Sequence, residues 1–281
     1  MNKMEELMMK FLEDNKFKFE QSTLKYIQFN VEELVGHSEK SIQEIQARDI
    51  RNWLNQLIAK GYAEVTVNTK FFRVKRFFNY CFEEEMITKN PFWAIPNPVQ
   101  KHREKPPRYL TVKQLGELRN LVEGRVLQRT VVEVLYTTGV RISELCAMKI
   151  EDINWSERSI VVKKGKGKKD RLVLFTKDCE EYLKTYLKTR TGDFPFLFLN
   201  RCKDGPIKRY SIGDWFIQYS KELGFRVTPH TLRHTFATHL AIKGMSLEYI
   251  QALLGHEEWT CTKVYVQFNV QARKELYDEW M

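Results

Sequence analysis

The sequence predicts a mainly α-helical protein with one small β-sheet, an α+β fold divided into two domains. Three observations carry this expectation. Apolar residues recur at helical spacing through most of the 281 residues. One segment, SIVVKKGKGKKDRLVLF, instead reads as two strand-like runs around a Gly-Lys-rich turn, hence a β-hairpin. A third stretch, PNPVQKHREKPPRYL, sets four prolines among Lys101, Arg103, Lys105 and Arg108, and it shows little apolar periodicity. Proline disfavours helix and stiffens the chain, so this stretch suits an interdomain linker.

Four helices are expected before the linker. The first, near Met4 to Leu12, places Leu7, Met8 and Phe11 on one face. A second, from about Ser22 to Leu34, offers Tyr26, Ile27, Phe29 and Val31. The third follows Asp49 as N-cap, aligns Ile50, Trp53, Leu54, Leu57 and Ile58, and stops at Gly61. The fourth, from Val65 to about Met86, carries Phe71, Phe72, Val74, Phe77, Phe78 and Cys81 as its core stripe. Its Lys70, Arg73, Lys75 and Arg76 are read as an opposite face able to meet a phosphate backbone. A helical bundle is the natural packing for these segments. The expected boundaries are an N-terminal domain over 1–95, a basic linker over 96–108, and a C-terminal domain over 109–281.

The second domain opens with Thr111 and Gln114 in a capping-box pattern. A helix through Leu127, Val131, Val134 and Leu135 follows, and Gly139 interrupts it. After the hairpin come helices expected over Lys177–Lys188, Ser211–Leu223, Thr231–Lys243, Leu247–Leu254 and Val270–Trp280.

Composition narrows the function. The formal net charge is +10, which favours polyanionic partners because bound cations release condensed counterions. The five cysteines are scattered and never form C-x-x-C, arguing against a disulfide framework or a zinc ribbon. No apolar run approaches the roughly 18 residues of a membrane span. The first residues lack a secretory cleavage pattern, so a cytoplasmic location is expected, with no membrane partner.

Six side chains in defined local settings then point to chemistry. They are Arg141 in TTGVRISEL, Lys166 in KKGKGKKDR, His230 and Arg233 in TPHTLRHTFATHL, His256 in LLGHEEW, and Tyr265 in TCTKVY, nine residues after His256. The lysine-rich turn alone is a weak signal, and the G-x-R-I-S-E segment a moderate one. The histidine–arginine segment followed by L-L-G-H and a spaced tyrosine is strong. In this order the motifs resemble the tyrosine recombinase, or phage integrase, family, and its Xer-like and transposon resolvase-like members most closely. The resemblance covers about Thr111 to Phe268; the four-helix segment before the linker matches the family's SAM-like core-binding domain in general character only.

The resemblance implies a site-specific DNA recombinase. Tyr265 would attack a phosphodiester and form a 3′-phosphotyrosyl link, and strand exchange would pass through a Holliday junction. Such attack builds a phosphorane with about two negative charges, which pre-placed cations stabilise most in the transition state. Arg141 and Arg233 present planar forks for the non-bridging oxygens. His256 adds a donor, and His230 is implied to assist proton transfer at the tyrosine. Lys166, between Gly165 and Gly167, is the implied general acid, although Lys163, Lys164, Lys168 and Lys169 crowd the same turn. Neither a metal nor another cofactor is called for. The implied partners are double-stranded core recombination sites and three further copies in a synaptic homotetramer, or a related recombinase.

His234 and His239 share the helix of Arg233 and are read as core or supporting residues. Glu144 either orients the site or forms a helix-surface ion pair. Trp259, Cys261 and the Val266-Gln267 pair depart from common family residues but leave the tyrosine spacing intact. The tail over Val270–Met281 is expected to be an amphipathic helix that either covers its own domain or, as the resemblance implies, docks into a neighbouring copy. Two other readings share parts of this evidence: a type IB topoisomerase-like enzyme that cuts and reseals one duplex, and an inactive DNA-binding module. The two-domain layout, without an arm-binding module before the bundle, is read as a simple recombinase with a short core site. Integration, excision, transposition and resolution of dimers or cointegrates all use the same motifs, with resolution slightly favoured.

Overall fold

A computed structural model describes residues 3–97, 108–163, 170–255 and 265–266. The chain falls into two compact units, Met1–Arg103 and Glu104–Met281. It is mostly helical with one small antiparallel sheet, as the periodicity predicts. No helix among the described residues is long and apolar enough to cross a membrane.

The first unit contains α1 (Lys3–Asn15), α2 (Gln21–Ser38), α3 (Ala47–Ala59) and α4 (Glu64–Glu83). Their inward faces meet in one core. Leu24, Ile27, Val31 and Leu34 recur at helical spacing along α2 and are all buried. Phe11 of α1 packs edge-on against Phe77 of α4, with ring centroids 5.4 Å apart. Phe92, just beyond α4, closes the same cluster against Phe71 and Phe78.

Several local expectations change. Asp49 is not the N-cap of α3. The helix starts at Ala47, and the Asp49 carboxylate reaches back to accept from the Gln46 N–H at 2.9 Å. Tyr26, Phe29 and Ile58 are exposed, because the buried stripes run through neighbouring positions. α4 ends at Glu83 rather than near Met86, since Glu85 turns left-handed and the Met86 N–H returns to the Cys81 carbonyl. Lys70 does not join an outward basic face. Its Nζ is buried, 2.7 Å from a Glu33 carboxylate oxygen and 4.6 Å from the Tyr62 ring centroid.

In the second unit, α5 (Val112–Leu121) begins with the Thr111–Gln114 capping box. α6 (Val126–Thr138) packs against α8 (Lys177–Thr189) and α10 (Pro229–Ile242). It buries Val131, Val134 and Leu135 together with Thr130, Thr137 and Thr138. Those three hydroxyls return to carbonyls four residues earlier, which satisfies them inside the core. The buried Glu133 takes a two-pronged ion pair from Arg119, at 2.8 and 2.6 Å.

α7 (Ile142–Ala147) leads to a three-stranded antiparallel sheet of β1 (Ile153–Asn154), β2 (Ser159–Val162) and β3 (Arg171–Leu174), in the order β1-β2-β3. Ile160 pairs with Val173 and Val162 with Arg171. The hairpin is therefore present, and the two-residue β1 is an addition that the short segment Ile153–Asn154 could not announce. α9 (Arg209–Leu223) and α11 (Leu247–Leu254) complete the described helices. Lys166, His256, most of the linker and the tail over 270–281 lie outside the described residues.

Candidate active site

The site is organised around the ends of helices. Thr228 caps α10 by accepting from the Thr231 N–H, and Pro229 occupies the first turn. This start places His230 and His234 one turn apart and puts Arg233 on the inward side. Arg233 is 3% exposed. Its Nη1 donates to the Gly139 carbonyl at 2.5 Å and its Nη2 to the Leu254 carbonyl at 2.8 Å. Those carbonyls belong to the residue ending α6 and the last residue of α11. Arg233 therefore ties together the segments leading into Arg141 and His256.

Gly139 is required at its position. It adopts φ +63°, and a Cβ there would lie 2.3 Å from a Phe236 ring carbon. Two residues later Arg141 caps α7: its N–H donates to Glu144 at 2.7 Å and its Nη1 at 3.0 Å. Arg171, from β3, grips the same carboxylate at 2.9 and 2.7 Å and also donates to the Leu253 carbonyl at 3.0 Å. Glu144 thus forms the expected pair with Arg141 and also a more buried one with Arg171, bridging two arginines.

The electrostatics follow. Burial pushes the Glu144 carboxyl up, but hydrogen bonds from Arg171 and Arg141 outweigh it and hold the group at about 2. Arg233 is lowered to about 10 by burial and by the neighbouring charge of Arg141, and it stays cationic at neutral pH. Arg141 and Arg171 share the Glu144 carboxylate, and Arg233 bonds only carbonyls, which leaves an excess of positive charge suited to a phosphate.

Tyr265 is 1% exposed and packs beside Phe236, Ala237, Leu247, Ile250 and Leu254. Its hydroxyl lies 2.6 Å from His234 Nδ1, and His234 Nε2 lies 2.9 Å from His230 Nε2. Burial, then His230 and Arg233, lower the His234 imidazole to about 4; burial, Arg233 and Arg141 lower His230. The structure thus gathers Arg141, His230, Arg233 and Tyr265 around one locus. Lys166 and His256 lie outside the described residues, and the Arg233 bond to Leu254 anchors the chain two residues before His256.

Two residues have contacts that the sequence does not specify. His234, expected to be a core or supporting residue, is the direct partner of the tyrosine hydroxyl, and its i+4 spacing from His230 is the available signal. Arg171 was absorbed into a charged turn, and its pairing with Glu144 spans 27 positions. His239 does have the supporting role expected of it: it bridges the Tyr136 hydroxyl and the Leu110 carbonyl, each at 3.0 Å.

Comparison with known proteins bears on this geometry. Residues 108–272 match the phage integrase family, and residues 10–85 match the phage integrase N-terminal SAM-like domain. The chain belongs to the phage integrase family of tyrosine recombinases. It is 35% identical over 237 residues to tyrosine recombinase XerA of Pyrococcus furiosus, covering 83% of this chain and 80% of that protein. A crystal structure of a XerA recombinase is similar with 28% identity and a TM-score of 0.56, covering 99% and 98% of the two chains. The Tn1549 transposon integrase, solved in complex with transposon right-end DNA, shares the fold with a TM-score of 0.78 at 22% identity, covering 96% and 98%. The protein is accordingly a site-specific recombinase of the tyrosine class.

Proposed function

We propose that this recombinase cuts and rejoins double-stranded DNA at short core sites, with Tyr265 as the nucleophile. The observation that carries the reading is the Tyr265 hydroxyl held 2.6 Å from an imidazole, next to the arginine that anchors the site. Attack on phosphorus expels the 5′-oxygen and leaves a 3′-phosphotyrosyl link. That link conserves the phosphodiester energy, so resealing consumes no ATP. Arg141 and Arg233 stabilise the equatorial oxygens as charge accumulates on them. His256 contributes a third donor, His230 assists proton transfer at the tyrosine, and Lys166 protonates the leaving 5′-oxygen. No step is assigned to a metal ion or another cofactor.

The N-terminal domain over 1–95 and the catalytic domain over 109–281, joined by the basic linker over 96–108, each contact the duplex. The active assembly is a homotetramer on two synapsed sites, acting in the cytoplasm in integration, excision or the resolution of dimers or cointegrates. Complexes of related recombinases with DNA support the DNA partner. The test mixes two differently labelled duplexes, drawn from a randomised pool by affinity for the full-length chain and nicked at the bound site. Holliday junctions and exchanged products are expected without metal or ATP. Relaxation of a supercoiled circle with no exchange would point to a topoisomerase-like enzyme. Tight binding with neither product would point to an inactive DNA-binding module.

A further inference from the structure

We propose that His234 is a catalytic residue that carries the Tyr265 proton outward to His230 during cleavage and returns it during ligation. The proposal rests on Tyr265 being the nucleophile and deepens that reading. It comes from the order of the hydrogen bonds. The tyrosine hydroxyl meets His234 Nδ1 at 2.6 Å, and the opposite nitrogen of the same ring meets His230 Nε2 at 2.9 Å. His234 makes the bond to the tyrosine hydroxyl, and His230 bonds the far nitrogen of that ring. The two imidazoles are one helical turn apart with ring centroids separated by 4.3 Å, so α10 itself sets the register of the chain.

The two ends of this chain differ in their surroundings. Tyr265 is buried at 1% exposure, whereas His230 is exposed. A proton leaving the phenol therefore has a bonded route from the interior to the surface through two rings. The relay defines the tautomers. A hydroxyl donating to Nδ1 requires His234 to carry its proton on Nε2, where it faces the lone pair of His230 Nε2. Burial, then His230 and Arg233, lower His234, and burial, then Arg233 and Arg141, lower His230, so both rings favour the neutral form and the acceptor sites stay open.

The transfers balance. As Tyr265 Oη bonds phosphorus, its proton moves to His234 Nδ1, and His234 gives its Nε2 proton to His230 Nε2. The P–O5′ bond breaks with its electron pair on O5′, which takes a proton from Lys166. In ligation each transfer reverses, and the phenol regains its proton from His234.

The test follows covalent adduct formation by the full-length chain on the nicked, pool-selected duplex, made either with oxygen or with sulfur at the bridging 5′ position. A sulfur leaving group needs no acid. His234→Ala is expected to slow adduct formation by about 100-fold or more, with sulfur giving no rescue, whereas sulfur rescues Lys166→Ala. His234→Asn retains a hydrogen-bond acceptor for the phenol but cannot relay a proton, and it is expected to stay equally slow while binding the duplex as wild type does. Recovery to within threefold of wild type by His234→Asn would reduce His234 to a positioning residue and overturn the relay. A His234→Ala rate within threefold of wild type would overturn it as well. An adduct formed by Tyr265→Phe would instead refute the nucleophile, a failure separate from that of the relay.

Discussion

Glu144 accepts both Nη groups of Arg171 on its two carboxylate oxygens, at 2.9 and 2.7 Å. The same carboxylate accepts the Arg141 N–H, so one acid fixes the start of α7 and the start of β3 together. Its carboxyl sits at about 2 in the fold against 4.5 for the unperturbed group. A depressed carboxyl contributes stability that is present above the unfolded value and is lost as pH falls through the folded one. Urea unfolding between pH 5 and pH 2 is expected to show this loss, on the order of 3 kcal/mol from the size of the shift. Glu144→Gln is expected to flatten that part of the profile, and an unchanged profile would count against the bridge.

His234 is expected to remain neutral well below the usual histidine range, because burial, His230 and Arg233 all lower it to about 4. Long-range 15N NMR of the free protein checks this. At pH 5.5 the ring should show one protonated nitrogen, Nε2, and a bare Nδ1 accepting the phenol. Protonation of both nitrogens at that pH would contradict the arrangement.

Gly139 ends α6 at φ +63° and supplies the carbonyl that holds Arg233. Gly139→Ala combines a left-handed alanine with a Cβ 2.3 Å from a Phe236 ring carbon. A loss of at least about 2 kcal/mol is expected in chemical denaturation, from overpacking and backbone strain together. Adduct formation should fall even at temperatures where the variant is folded, because the Arg233 carbonyl partner moves.

Lys70 separates a structural cation from a DNA-facing one. Its Nζ pairs with Glu33 inside the first unit, with 9% of the side chain exposed. Lys70→Ala is therefore expected to destabilise the protein by about 3 kcal/mol, since it leaves a partly buried carboxylate without its partner. The salt dependence of DNA binding should keep its slope. A slope smaller by about 0.9 would assign Lys70 to a phosphate instead.

Much of this architecture is legible in the sequence because it rests on periodicity. The α3 positions Ile50, Trp53 and Leu57, the Thr111–Gln114 cap and the Gly139 stop are local patterns whose physics is local. The candidate site residues were legible for a different reason: Arg141, His230, Arg233 and Tyr265 sit in short segments that resemble the motifs of the tyrosine recombinase family. What escaped was non-local. Lys70 lies among exposed-looking basic residues, and only the packing of α2 on α4 brings Glu33 to it. Arg171 pairs with an acid 27 positions away, across the turn from α7 into the sheet. His234 was hidden by its neighbour Arg233, since adjacent helix positions face different ways and the sequence does not say which one meets the tyrosine.

The most direct measurement is an SDS-resistant protein–DNA adduct on a nicked duplex, formed without metal or ATP and compared between wild type and Tyr265→Phe. The account predicts an adduct with wild type, none with Tyr265→Phe, and a digested wild-type adduct whose DNA 3′-phosphate sits on the peptide containing Tyr265. An adduct of undiminished yield from Tyr265→Phe would contradict it.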